Sequence, residues 1–512
     1  MKIVADPEES PSVSRSEWLA LALLVCAIVG LHIMFLRPGH DWADDFAMYV
    51  SHALNLLSGK PYAETGFAPN PWAVPGPPTY PPVYPLMIAP IVALWGQDLQ
   101  ILKIAGLVMF GAALGMAYVL WRTRIGMSPA LCLVAVLGLS PFIVEFRDEI
   151  RPDTTFLFLF LITLWLGDRW SGYVQRWDLG RLARGLVLGV VAYFAYGTRS
   201  LGLVLLPALW VVDLWRLGRP TPTLVVATMV AGLLVGLQSV WLHSDAGYAS
   251  NMTLDAHTLG YNAFHYLTSL SVLWSNPLPR PWGLGLRGIL FASTLLLAGL
   301  GYVTCLRRGL SVLEVVPWLY FGPLVVYWVG TMIQQRYVLP LLPLLLYYAW
   351  VGVEFLRQRF SPRRTDWILA VLGAGVLLTY ATGHAWAPRT EITPGITNSD
   401  TREVFAWIRK DTPVKAVVLV GRARAFALYT QRLCVSPFGF RTDEALWSLI
   451  AEQGITHVVV GVGAVARDMD YENPDDLARF VAAHPQRLQP VLRNEAFELY
   501  QVVAPLTDES SQ

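Results

Sequence analysis

Charge is scarce in this chain. Only 15% of its 512 residues are Asp, Glu, Lys or Arg, against about 25% in an ordinary soluble domain. Hydrophobic residues make up 54% and mean hydropathy is +0.46, so a water-soluble fold of this length would expose a vast apolar surface. Neither sign of charge dominates: 38 Lys and Arg stand against 37 Asp and Glu, and nothing points to nucleic acid as a partner. Cysteine is nearly absent. Cys26, Cys132, Cys305 and Cys434 are scattered, three of them in apolar stretches, which argues against a disulfide framework and a Cys-built metal centre. HExxH, GxSxG, Walker and CxxC motifs are missing, as are internal repeats and the paired Gly/Pro-broken spans of inverted-repeat transporters. A soluble enzyme, a disordered protein and a small secreted module are excluded.

What is present is a series of apolar runs. About 20 apolar residues cross the hydrocarbon core as a helix. Runs of that kind, some shorter, fall near 17–36, 101–121, 129–146, 154–168, 183–197, 200–215, 221–242, 286–306, 312–332, 337–356 and 366–386. Gly197-Thr198-Arg199-Ser200 separates the fifth from the sixth. The sequence therefore predicts an α-helical polytopic membrane protein with about eleven transmembrane helices. Basic clusters at Arg122/Arg124, Arg169/Arg176/Arg181/Arg184, Arg307/Arg308 and Arg357/Arg359/Arg363/Arg364 mark the cytoplasmic ends under the positive-inside rule. That orientation makes residues 1–16 a cytoplasmic N-terminus and places the tail outside. Arg37-Pro38 follows the first run with no small-residue cleavage site, so that run reads as a retained anchor. The 20 Trp suit the membrane interfaces.

Three segments break the apolar pattern. Residues 37–100 form a long, proline-rich outer loop, and 243–285 form a second; both are grouped with the membrane domain at 17–390. The tail 398–505 turns polar, with helix-like TREVFAWIRK and TDEALWSLIAEQG alternating with strand-like AVVLVG and THVVVGV. That alternation predicts a small C-terminal extracytoplasmic α/β domain that folds by itself.

Chemistry concentrates in the first loop. Asp41, Asp44 and Asp45 precede a helix in which Phe46, Tyr49, Val50, Ala53, Leu54 and Leu57 share one face, with Ser51, Asn55 and Ser58 opposite and Gly59 at the end. The pattern predicts a helix lying on the outer leaflet with carboxylates at its start. One Asp is explained by an N-cap; three together at that depth favour a functional reason. Residues 80–96, YPPVYPLMIAPIVALWG, read as a re-entrant or interfacial element, or as a kinked start to the next span. The charged run Glu145–Asp153 reads as a solvated turn, except Asp153, which opens an apolar helix. Arg199 and Arg336 stand at outer edges, either snorkelling to lipid phosphate or binding an anionic phosphate ester. Metal ligation by Asp41, Asp44, Asp45, His40 or His52 stays open. The sequon Asn251-Met252-Thr253 is a common chance match.

Several stretches together carry a resemblance: DDFAMYVSHALNLLSGKPY, TYPPVYPLMIAPIVALWG, EIRPDTTFLFLFLITLWL, GTRSLGLVLLPALWVVDLW and QRYVLPLLPLLLYYAWVGVE. In that order the chain resembles the membrane glycosyltransferases of the GT-C superfamily, in particular the bacterial branch of protein mannosyltransferases and aminoarabinose transferases, over about residues 15–390. The resemblance implies transfer of a sugar from a polyprenyl-phosphate donor to an envelope lipid, glycan or protein acceptor. It places the enzyme in a bacterial inner membrane, working on the extracytoplasmic side with membrane lipids around it and no nucleotide cofactor. The family's loop acid is followed four residues later by an aromatic, then by a glycine before Pro-Tyr. Asp45, Tyr49 and Gly59-Lys60-Pro61-Tyr62 match that register, which implies Asp45 as the catalytic acid first and Asp44 second. The chain has Asp-Asp where the branch commonly has Asp-Glu. It also has Tyr80 where some members carry a phosphate-binding Lys, so Lys60, Arg199 and Arg336 stand as substitutes. The competing readings are a flippase of lipid-linked glycan precursors and a surface-glycan polymerase or ligase.

Overall fold

The computed structural model describes residues 14–42, 45–70, 72, 79–170, 177–242, 252, 254–327, 335–360, 362–469 and 476–503. The sequon at 251–253 falls largely outside them. The chain divides into two compact units. One comprises Met1–Leu36, Lys103–Trp241 and Tyr248–Arg389; the other includes Arg37–Leu102 and Thr390–Gln512.

Among the described residues, helices fall within every expected apolar run. Eight helices among the described residues are long and apolar enough to cross a membrane: Arg15–Met34, Leu99–Ile125, Leu179–Thr198, Ser200–Leu217, Pro222–Trp241, Trp282–Arg308, Gln335–Arg359 and Asp366–Trp386. The protein is an integral membrane protein. Met127–Gly138 and Val312–Val326 are shorter apolar helices, and Asp153–Trp170 has 18 residues with charge at both ends. The run 129–146 is therefore not one span. Its helix stops at Gly138 ahead of Ser140-Pro141, and a separate turn follows at Ile143–Arg147. The carbonyls left over at that end accept from three side chains: the Tyr380 hydroxyl at 2.8 Å on Val136, His32 Nε2 at 2.9 Å on Gly138, and His384 Nε2 at 2.8 Å on Leu139.

Ion pairs and caps show how the helix ends alternate. Arg122 pairs with Glu17 at 3.0 Å and Arg124 pairs with Asp168. These contacts bring the start of Arg15–Met34 beside the ends of Leu99–Ile125 and Asp153–Trp170. Arg216 Nε donates to Leu310 O at 2.9 Å, and Arg199 meets Asp153 at 2.8 Å at the opposite ends. Trp282–Arg308 and Leu342–Arg359 cross at Gly301 and Gly352, where a Cβ on Gly301 would stand 2.8 Å from the Gly352 nitrogen. Small residues at a crossing let helix backbones approach, the main source of packing where lipid removes the hydrophobic drive. The charged run after the short helix is not solvated as expected: Arg147 is 1% exposed and pairs with Asp148 at 2.8 Å. A buried charge needs such a partner.

The second unit is built on a sheet of six strands, β1 (Phe67–Ala68), β2 (Val417–Val420), β3 (Leu433–Val435), β4 (His457–Gly461), β5 (Leu488–Arg493) and β6 (Phe497–Val502), in the order β1-β3-β2-β4-β6-β5. The first four pair in parallel, with Phe67 opposite Cys434 and Val418 opposite both Cys434 and His457; β4–β6 and β6–β5 are antiparallel. The expected helices appear as Ser399–Asp411 and Asp443–Glu452, and the expected strands as β2 and β4. Val417, Leu419, Val435, Leu446, Leu449, Val458, Val460 and Phe480 form the core of one face.

The edge strand β1 comes from the first loop, not from the tail. Gly66, at φ +73°, turns the chain into it; its carbonyl accepts from Cys434 N at 2.8 Å. A Cβ there would lie 3.3 Å from Ala427. Trp42 of the same loop, 1% exposed, stacks on Phe426 at 5.8 Å and meets Phe405 and Phe497 edge-on. Ile392 and Ile396 donate backbone bonds to Pro38 and His40. The loop and the tail thus share one core.

Candidate functional site

Asp45 opens helix Asp45–Ser58. That helix does not lie on a surface with its polar face exposed, as the sequence pattern suggested. Ser51, His52 and Asn55 are buried along with Phe46, Met48, Tyr49 and Val50. Residues 61–64 and Tyr80 of the returning chain cover the polar face. Asn55 Nδ2 donates to the carbonyls of Pro61, Tyr62 and Glu64 at 3.1, 3.3 and 2.9 Å. His52 clamps the same segment: Nε2 accepts from Tyr80 N at 3.2 Å, so Nδ1 carries the proton donated to Tyr62 O at 2.8 Å. Burial, aided by the Arg424 charge, drops the His52 pKa from 6.5 to about 4. This clamp places Tyr80.

The Tyr80 hydroxyl donates to Asp45 Oδ1 at 2.6 Å and accepts from Arg424 Nη1 at 2.8 Å. Arg424 also lies 3.6 Å from Asp45 Oδ1. Tyr49 stacks on the Tyr80 ring at 4.9 Å and meets Tyr84 edge-on at 5.0 Å. Asp45, four residues before Tyr49, thus keeps a side chain 22% exposed beside an arginine that is 4% exposed. A carboxylate beside aromatic rings and in reach of solvent can accept a proton from a hydroxyl that reaches it. Among the described residues, no three His, Cys, Asp or Glu side chains come together to hold a metal ion. Asp44 lies outside the described residues.

Lys60 is not brought to this group. It is exposed beyond the far end of the 14-residue helix, roughly 20 Å from Asp45 at 1.5 Å per residue. The remaining expected residues lie in the other unit and form their own cluster. Asp153, 2% exposed, holds Arg199 at 2.8 Å. The Arg199 guanidinium lies 5.0 Å over the Tyr337 ring and Arg336 5.5 Å over the same ring. The Tyr320 hydroxyl fixes the Tyr337 carbonyl at 3.0 Å. Two guanidiniums thus share one aromatic ring, with Asp153 paired to one of them.

Sequence reasoning missed Arg424. The signal was there: Arg422 and Arg424 interrupt the apolar run AVVLVGRARAFALYT, and a charge in such a run is buried only with partners.

No protein-family model and no curated protein sequence matches the chain. Solved structures do. ArnT from Cupriavidus metallidurans in the apo state aligns at TM-score 0.56 and 14% identity, covering 96% of this chain and 98% of that one. The same ArnT bound to undecaprenyl phosphate gives 0.55 and 14% over 96% and 99%. The oligosaccharyltransferase AglB from Archaeoglobus fulgidus, in complex with an inhibitory peptide and a dolichol-phosphate, gives 0.56 and 11% over 96% and 75%. The chain shares the fold of these solved structures, and the expected polytopic helical architecture with a small C-terminal α/β part is the one it has.

Proposed function

We propose that the protein is an integral-membrane glycosyltransferase that moves a sugar from a polyprenyl-phosphate donor to an envelope lipid, glycan or protein acceptor on the extracytoplasmic face of a bacterial inner membrane, with its N-terminus cytoplasmic. The observation that carries this reading is the Asp45 carboxylate, held by the Tyr80 hydroxyl and Arg424 beside a ring of tyrosines. The likeness to ArnT bound to undecaprenyl phosphate and to AglB bound to a dolichol-phosphate supports the donor class.

In this reading Asp45 takes the proton of an acceptor hydroxyl as its oxygen bonds to the sugar's anomeric carbon. The bond from that carbon to the phosphate oxygen breaks, and polyprenyl phosphate leaves with the electron pair. A phosphate ester is a fair leaving group, so the base is the main protein requirement. Arg199 and Arg336 are the cations proposed to bind the anionic phosphate ester. Residues 398–505 form the proposed extracytoplasmic part, and no nucleotide enters the reaction.

Mass spectrometry of envelope lipids and glycans from a deletion strain identifies the sugar by its loss. Transfer from a lipid extract of the producing cells then tests the base. Asp45→Asn is expected to keep protein level and insertion while transfer falls about 100-fold or more, and Asp44→Asn to lose less. Full activity in both variants overturns the assignment.

A further inference from the structure

Strand β2 ends at Val420, and the chain leaves its carboxyl end through Gly421 and Arg422 into helix Ala423–Thr430. In the sheet β2 stands between β3 and β4, so successive connections run to opposite sides of it. That is where open parallel sheets present their working side chains. Arg422 turns inward, its Nε donating to Asp468 O at 2.5 Å. Arg424 is placed otherwise. Its guanidinium lies 5.0 Å over the Phe67 ring and 5.4 Å over the Tyr80 ring. It donates to the Tyr80 hydroxyl at 2.8 Å and stands 3.6 Å from Asp45.

The direction of this chain of bonds is fixed by chemistry. A guanidinium only donates and keeps its charge. The Tyr80 hydroxyl therefore accepts from Arg424 and has a single proton, which it gives to Asp45 at 2.6 Å. Burying a guanidinium is costly unless it is paired and hydrogen-bonded, and an apolar side chain would fill the gap between two aromatic rings without that cost. The arginine reaches the Tyr80 hydroxyl and the Asp45 carboxylate.

We infer that Arg424 of the C-terminal domain is a positioning residue for sugar transfer, fixing the Tyr80 hydroxyl and, through it, the orientation of the Asp45 carboxylate. The inference rests on Asp45 being the base. Arg424 itself gains and loses no proton. The polar tail thereby serves the chemistry directly.

The test uses the full-length protein in native membranes, with lipid extract from producing cells as donor and undecaprenyl phosphate as binding probe. Arg424→Gln is expected to lower turnover at saturating donor about 10- to 100-fold, with undecaprenyl phosphate affinity within about twofold of wild type. Tyr80→Phe keeps the ring and should show the same loss, and the double variant should lose no more than either single one. Added methylguanidinium should restore part of the turnover of Arg424→Ala. Arg432 is the control, because it is bound to Arg409 O and Thr412 O at 2.7 and 2.9 Å within the tail. Arg432→Gln should lower the melting temperature without changing the turnover of folded protein.

Wild-type turnover in Arg424→Gln with Asp45→Asn inactive overturns this inference alone. Wild-type turnover in Asp45→Asn removes the base reading and this inference with it. A tenfold or greater loss of undecaprenyl phosphate affinity makes Arg424 a phosphate ligand and also overturns the assignment. Failure of methylguanidinium to restore folded Arg424→Ala does the same. Should the Arg424 variants not fold, Tyr80→Phe decides, and undiminished turnover there refutes the proposal.

Discussion

Asp45 and Asp153 each open a helix and each faces an arginine, yet their surroundings assign them different work. The Asp153 side chain is 3% exposed against Arg199 at 12%, a buried pair whose separation leaves an uncompensated charge. Asp45 keeps 22% of its side chain exposed and accepts from a tyrosine hydroxyl. The first arrangement fixes two helices; the second leaves a carboxylate within reach of a substrate. The arginines around Tyr337 divide in the same way. Arg336→Ala should weaken undecaprenyl phosphate binding about tenfold, the worth of one charge-assisted contact, with little change in melting temperature. Arg199→Ala should weaken binding and also destabilise the protein, by about 3 kcal/mol or more, because Asp153 stays buried without its cation. Thermal unfolding beside a binding titration separates the two effects. Equal stability loss in both variants would refute the division.

Helix Asp45–Ser58 shows how an element's setting overrides its pattern. Its sequence is amphipathic, but the loop folds back and supplies hydrogen bonds to the polar face, so both faces are buried. The clamp depends on neutral His52, whose pKa falls from 6.5 to about 4. A lowered folded-state value means the unfolded chain binds the proton first. The stabilisation is therefore complete above pH 6.5 and drains away as pH falls from 6.5 toward 4, at about 1.4 kcal/mol per pH unit. Melting temperatures in detergent between pH 4.5 and 8 should fall on the acid side, and His52→Gln should flatten that fall by holding the same two bonds without a titrating ring. Parallel curves for the two proteins would exclude His52 as the cause. Strand β1, which the sequence did not reveal, is two residues long; no periodicity can show in so short a segment, and its partner β3 lies some 370 residues away.

For the whole molecule, the arginine clusters and the alternation of helix ends make one topological prediction. Residues 122–128, 169–182 and 357–365 should be cytoplasmic, and 37–100 and 387–512 extracytoplasmic. Single cysteines at positions 70, 178, 360 and 450, probed with an impermeant thiol reagent in intact cells, are expected to label at 70 and 450 only. Labelling at 178 or 360, or protection at 450, would overturn the orientation.

Much of this was legible in the sequence, because membrane helices are selected by composition over some 20 residues, a local property that survives without tertiary information. The eleven apolar runs, the break before Arg199, the helical opening at Asp45 and the strands at 417–420 and 457–461 all follow from local pattern and backbone chemistry. The sequence also singled out Asp45 and Tyr80, though as an acid and a departure from a motif, with no bond between them. Whether a charged residue is solvated or paired depends on what the fold brings against it, and no spacing rule reaches across the chain. Tertiary structure alone buried Arg147 beside Asp148, joined Asp153 to Arg199, and left Lys60 far from Asp45. It also brought Arg424, some 380 residues after Asp45, to the same tyrosine hydroxyl, because burying both Trp42 and the Arg424 guanidinium required the first loop and the tail to fold as one core.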